Sequence, residues 1–69
     1  MEFVEVRDFR QSLSYPDGRR RLIDVGKITS IDMEPSSSGY YGVVLGHDAV
    51  SITYEELVKL LRHVARGVL

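Results

Sequence analysis

His47 and Asp48 stand side by side between two apolar runs, and an imidazole next to a carboxylate is a pairing from which general bases and metal sites are built. The context argues against that use. Gly46-His47-Asp48-Ala49 reads as a turn, where Asp serves local backbone hydrogen bonding, and no second ligand lies at a recognisable spacing. His63 falls toward the C-terminal end of a helical pattern, where the helix dipole favours a partly charged imidazole with no further role. Ser36 to Ser38 offer hydroxyls, but no Gly-x-Ser-x-Gly elbow surrounds them and no base is placed beside them. Gly39, Gly42 and Gly46 lack the strand-to-helix context of a phosphate-binding loop; Gly42 and Gly46 mark bulges or close packing instead. These residues assign no catalytic, metal or cofactor site, and the expectation is a protein that is not an enzyme and carries no cofactor.

Two other groups could bind. Arginines 7, 10, 19, 20 and 21 crowd the first third of a chain whose net charge is only −1. Alternation along a strand sends Arg19 and Arg21 to one face and Arg20 to the other. Arg7, Arg10, Arg19 and Arg21 are therefore the set that could meet nucleic-acid phosphates or an acidic protein surface, while charge that protects a strand edge is the competing explanation. Tyr40 and Tyr41 are neighbours on a strand and face opposite ways, so one ring belongs to the core and the other is a candidate contact. Basic residues interleaved with several aromatics, the pattern of a base-stacking sheet, are missing.

The elements that position these residues can be read from period and punctuation. Phe3 to Arg7 alternates as a strand that bends before ending near Ser14, and Tyr15-Pro16-Asp17-Gly18 is a turn, with Pro pre-set for its second position and Gly at its last. Arg19 to Val25 supplies the returning strand, and Ile31 with Met33 a third short one ending at Pro35. Pro35-Ser36-Ser37-Ser38-Gly39 is a flexible loop. Tyr40 to Leu45 and Val50 to Tyr54 form a second hairpin. The last segment starts a helix at Tyr54: Thr53 is the N-cap, Glu56 its capping-box partner, and Ile52 with Leu57 the hydrophobic staple. Glu55 and Glu56 lie at the positive end of the dipole, Arg62, His63 and Arg66 toward the negative end, and Gly67 is available as the residue just past the end. Leu57, Leu60, Leu61, Val64 and Val68 make the apolar stripe, which Val58 and Ala65 widen.

At the level of the whole chain, 69 residues suffice for one core and one domain over 1–69. No apolar run is long enough to span a bilayer, and the acidic, alternating start does not read as a secretion signal, so a cytoplasmic protein is expected. With no cysteine, no disulfide can brace so small a fold, which raises the weight of self-association. The predicted architecture is α+β, an antiparallel sheet of four or five strands with one C-terminal helix packed on one face.

From Asp17 to Leu61 the order of signals resembles the small flagellar-regulation proteins of the FlbD type. The matching elements are the Asp17-Gly18 turn, the strand Leu22-Ile23-Asp24, the step Ile28-x-x-Ile31-Asp32, the hairpin Val43-Val44-Leu45 to Val50-Ser51-Ile52, and the helix start Tyr54-Glu55-Glu56-Leu57. An extra N-terminal strand and the Ser-rich loop depart from that family, and small phage-encoded accessory proteins look similar in the same way. The resemblance implies a non-enzymatic accessory role and carries no site residues across.

The expectation is therefore a protein-binding module that regulates or inhibits a partner, acting as a homodimer. Its contact surface is expected either on a strand edge or on the helix residues Val58, Ala65, Val68 and Leu69, with Tyr40 and Tyr41 as further contacts. A nucleic-acid-binding regulator using Arg7, Arg10, Arg19 and Arg21 is the alternative.

Overall fold

The computed structural model describes residues 2–11 and 13–68, with side chains as far as Ala65. Among the described residues the elements run β1 (Phe3–Asp8), β2 (Arg19–Asp24), a short 3-10 turn (Val25–Lys27), β3 (Ser30–Ile31), β4 (Tyr41–Leu45), β5 (Asp48–Ile52) and α1 (Tyr54–Val68). Among the described residues no helix is long and apolar enough to cross a membrane.

The chain is α+β, but the strands do not form one sheet of four or five. β1 and β2 make a two-stranded antiparallel sheet, and the other three make an antiparallel sheet in the order β3-β4-β5. The reason lies in the gap between β1 and β5. The Phe9 N–H reaches the Ser51 carbonyl at 2.8 Å, a single rung between them. On either side carboxylates replace backbone partners: Asp8 Oδ1 accepts the Ser51 N–H at 3.0 Å, and Glu56 Oε2 of the helix accepts the Arg7 N–H at 2.8 Å. A donor spent on a side chain is not available to a neighbouring strand, so the ladder stops.

Local chemistry explains most boundaries. The Gly18 N–H donates to the Tyr15 carbonyl at 2.9 Å, closing the turn that Pro16 initiates. β2 ends one residue before Val25 because the Asp24 carboxylate accepts the Gly26 N–H at 2.9 Å and turns the chain. β3 is shorter and earlier than the Ile31–Met33 pattern predicts. β5 starts at Asp48, since a two-residue loop, Gly46-His47, closes the β4–β5 hairpin. Gly46 has φ +64° and His47 does not have positive φ, the signature of a II′ turn.

The helix begins where its cap predicts. Thr53 Oγ1 accepts the Glu56 N–H at 3.3 Å and the Thr53 carbonyl accepts the Leu57 N–H at 2.9 Å. The reciprocal half of the box is not made, because the Glu56 carboxylate is bound to β1. At the other end α1 runs past Gly67 instead of stopping before it.

One core serves both sheets and the helix. Val4, Val6 and Ile23 come from the first sheet, Val43, Val50 and Ile52 from the second, and Leu57 and Leu60 from α1; all are buried. Period 2 in the strands and the Leu57/Leu60 spacing in the helix deliver these side chains to one interior.

Candidate functional site

Alternation along β1 and β2 divides the first hairpin into two faces. Val4, Val6 and Ile23 go inward. Phe3, Glu5 and Arg7 go outward, and so do Arg20, Leu22 and Asp24 opposite them, in the register Phe3↔Asp24, Glu5↔Leu22 and Arg7↔Arg20. Phe3 is 50% exposed and Leu22 68%, and the register makes them diagonal neighbours. Arg7 and Arg20 stand directly opposite each other, and Glu5 relieves that repulsion by accepting from Arg20 Nε at 3.1 Å and Arg20 Nη2 at 3.4 Å. The result is an apolar pair set among charges on a two-stranded sheet. β2 has a single neighbour, β1, so its other edge is open among the described residues.

At the inward end of the same hairpin the apolar phase Val4, Val6 continues to Asp8, which is buried. Its carboxylate is fully committed: Oδ1 accepts from the Arg10 and Ser51 backbone, each at 3.0 Å, and Oδ2 from Arg10 Nε at 3.2 Å with Arg21 Nη1 at 3.6 Å. Arg21 and Arg10 reach on to Asp48, with Arg21 Nη2 in direct contact and Arg10 Nη2 at 3.5 Å. Burial pushes the Asp8 carboxyl up, but the hydrogen bonds from Ser51 and Arg10 outweigh it and hold the group below its ordinary range. The Arg21 hydrogen bond, helped by the Ala49 N–H, lowers Asp48 to about 2. Two carboxylates answer two guanidinium groups at the junction of the two sheets.

That junction redistributes the arginines read from sequence. Arg10 and Arg21 are ion-paired, Arg19 lies over the Tyr15 ring at 5.7 Å, and Arg7 projects from the outer face. They do not form one basic patch. Neither tyrosine stands free: Tyr40 stacks on Phe9 with centroids 4.7 Å apart, and Tyr41 packs against the core and meets Tyr54 at 5.9 Å. On the helix, Val58 is half-buried and Ala65 exposed, while the Val68 side chain and Leu69 lie outside the described residues. His47 is exposed in its turn, and His63 Nδ1 faces the Glu2 carboxylate, tying α1 to the start of the chain. Among the described residues no three His, Cys, Asp or Glu side chains converge as metal ligands would.

Sequence reasoning missed Asp8 and the Phe3/Leu22 pair. The signal for Asp8 was its phase, since it occupies the inward position after Val4 and Val6. The signal for the pair was apolar residues in the outward phase of a strand otherwise charged. No protein-family model, curated protein or solved structure matches the chain.

Proposed function

We propose that this protein is a non-catalytic binding module that regulates or inhibits a partner protein, acting as a homodimer and docking the partner on the outer face of the β1–β2 hairpin. The observation that carries the reading is the exposed Phe3/Leu22 pair. Two apolar side chains placed diagonally on a charged strand face form a small contiguous patch, and a protein contact would give it a use. The accessory role implied by the resemblance to FlbD-type regulators agrees with it. At the sheet junction Asp8 and Asp48 neutralise Arg10 and Arg21, so these four groups hold the two sheets together.

The test is native capture from a lysate of the source organism with tagged wild type and with the double variant Phe3→Ser/Leu22→Ser. Wild type should retain one protein stoichiometrically, and the variant should lose it while keeping its circular dichroism. Equal retention by both removes this face from the function. Retention of nucleic acid that falls steeply with added salt supports the alternative, with Arg7 and Arg19 as the cations to replace.

A further inference from the structure

We propose that a second copy of this chain pairs with the open edge of β2, antiparallel and centred on Leu22, so that two hairpins join in a four-stranded sheet. The inference rests on the homodimer reading above and names its surface and register.

Backbone parity provides the first argument. The Glu2 carbonyl accepts the Val25 N–H, whereas the N–H groups of Arg7 and Phe9 leave β1 on its far side, toward Glu56 and Ser51. Alternation therefore turns Val4, Val6 and Asp8 toward β2, and their register partners Ile23, Arg21 and Arg19 toward β1. What remains for the outer edge is the N–H and C=O groups of Arg20, Leu22 and Asp24. Those three residues also project their side chains onto the outer face.

Charge selects the register. Antiparallel pairing of β2 with itself about Leu22 sets Leu22 against its own copy and places each Arg20 opposite an Asp24, twice over by symmetry. Shifted registers lose this. Centring on Arg20 or on Asp24 opposes like charges, centring on Arg21 opposes two Arg21 side chains, and centring on Ile23 leaves Arg20 facing Gly26. The edge reads Arg-Leu-Asp in its outward phase, a self-complementary sequence. Arg20 would then lie between Glu5 of its own hairpin and Asp24 of the second copy, and Leu22, now 68% exposed, would lie beside its counterpart with its outward surface still open. Phe3 remains on the outer face of the widened sheet, so the edge can serve the second copy while the face serves the partner. A contact made by one strand pairing is small beside the roughly 1,200 Å² of a standard stable interface, so the dimer is expected to dissociate on dilution.

Sedimentation equilibrium across a concentration series is the experiment. Wild type should move from 7.8 kDa toward twice that mass as concentration rises. Arg20→Asp turns both attractive pairs into repulsive ones and should weaken association about tenfold, and Arg20→Asp/Asp24→Arg should restore it. Asp24 also caps Gly26, so Leu22→Glu, which opposes two carboxylates at the axis, supplies a second variant at an exposed position and should also be monomeric; thermal melts confirm that each variant is folded. A wild-type dimer unaffected by Arg20→Asp and Leu22→Glu overturns the β2 edge but keeps the homodimer, and Val58→Asp then tests the helix. A wild type that is monomeric throughout the series overturns both.

Discussion

Asp8 takes the inward position where a third valine would continue the phase of Val4 and Val6. A buried carboxylate is tolerated only when its oxygens are satisfied, and Asp8 receives two backbone N–H groups and two guanidinium groups from parts of the chain that the core alone would not join. Asp8→Ala leaves the Ser51 and Arg10 N–H groups without their acceptor and Arg21 with one carboxylate fewer. It should cost about 2 to 4 kcal/mol at pH 7. For a domain with a total stability of about 3 to 10 kcal/mol that is a large fraction, visible as a fall in Tm. The acid dependence follows from the same contacts. Asp8 and Asp48 both bind protons less readily when folded than the roughly 3.9 of an unfolded Asp, so their stabilisation is complete above about pH 4. It is lost as pH falls through the folded values, which for Asp48 means about 2. Wild-type Tm should therefore drop between about pH 4 and pH 2, and Asp8→Ala should flatten part of that drop; equal pH slopes in both proteins would show that Asp8 titrates alike folded and unfolded.

Turns and caps are where single elements are decided. Gly18 and Gly46 both adopt positive φ, +85° and +64°, yet they differ in surroundings. A Cβ on Gly46 would meet nothing within 4 Å, whereas one on Gly18 would sit 2.9 Å from both Arg7 Cβ and the Phe9 ring. Gly46→Ala should thus cost about 1 kcal/mol, the strain of a left-handed alanine. Gly18→Ala should cost more, because β1 must move to admit the methyl group, and equilibrium denaturation of the two variants compares them directly. Features of this kind were legible in the sequence because each requirement sits within four residues: Pro16 with Gly18, Thr53 with Glu56 and Leu57. The carboxylates were not. Glu56 answers an N–H 49 positions away and Asp8 one 43 positions away, and no local rule states that a capping-box glutamate has a better-placed donor on a distant strand.

Those two long-range contacts also explain why strand content was readable and sheet number was not. Alternation reports which side of a strand is buried and says nothing about which edges meet, so a ladder interrupted by Asp8 and Glu56 has the same apolar pattern as a continuous one. The interruption does not make two folding units. Val6 of the first sheet and Val43 of the second bury their side chains in one cluster, and Leu60, 0% exposed, is shared by it. Opening either sheet would expose the other's inner face, so the two should open together. Native-state amide exchange reads this through the Val6 N–H in the β1–β2 ladder and the Val43 N–H in the β4–β5 ladder, which should report the same opening free energy to within about 1 kcal/mol. Leu60→Ala should lower both together, by about 2 to 5 kcal/mol, as expected for a leucine removed from a packed interior. If Val43 keeps its protection while Val6 loses it, the hairpin carrying Phe3 and Leu22 is a separately opening unit, and its face and edge would be formed only in the closed fraction of molecules.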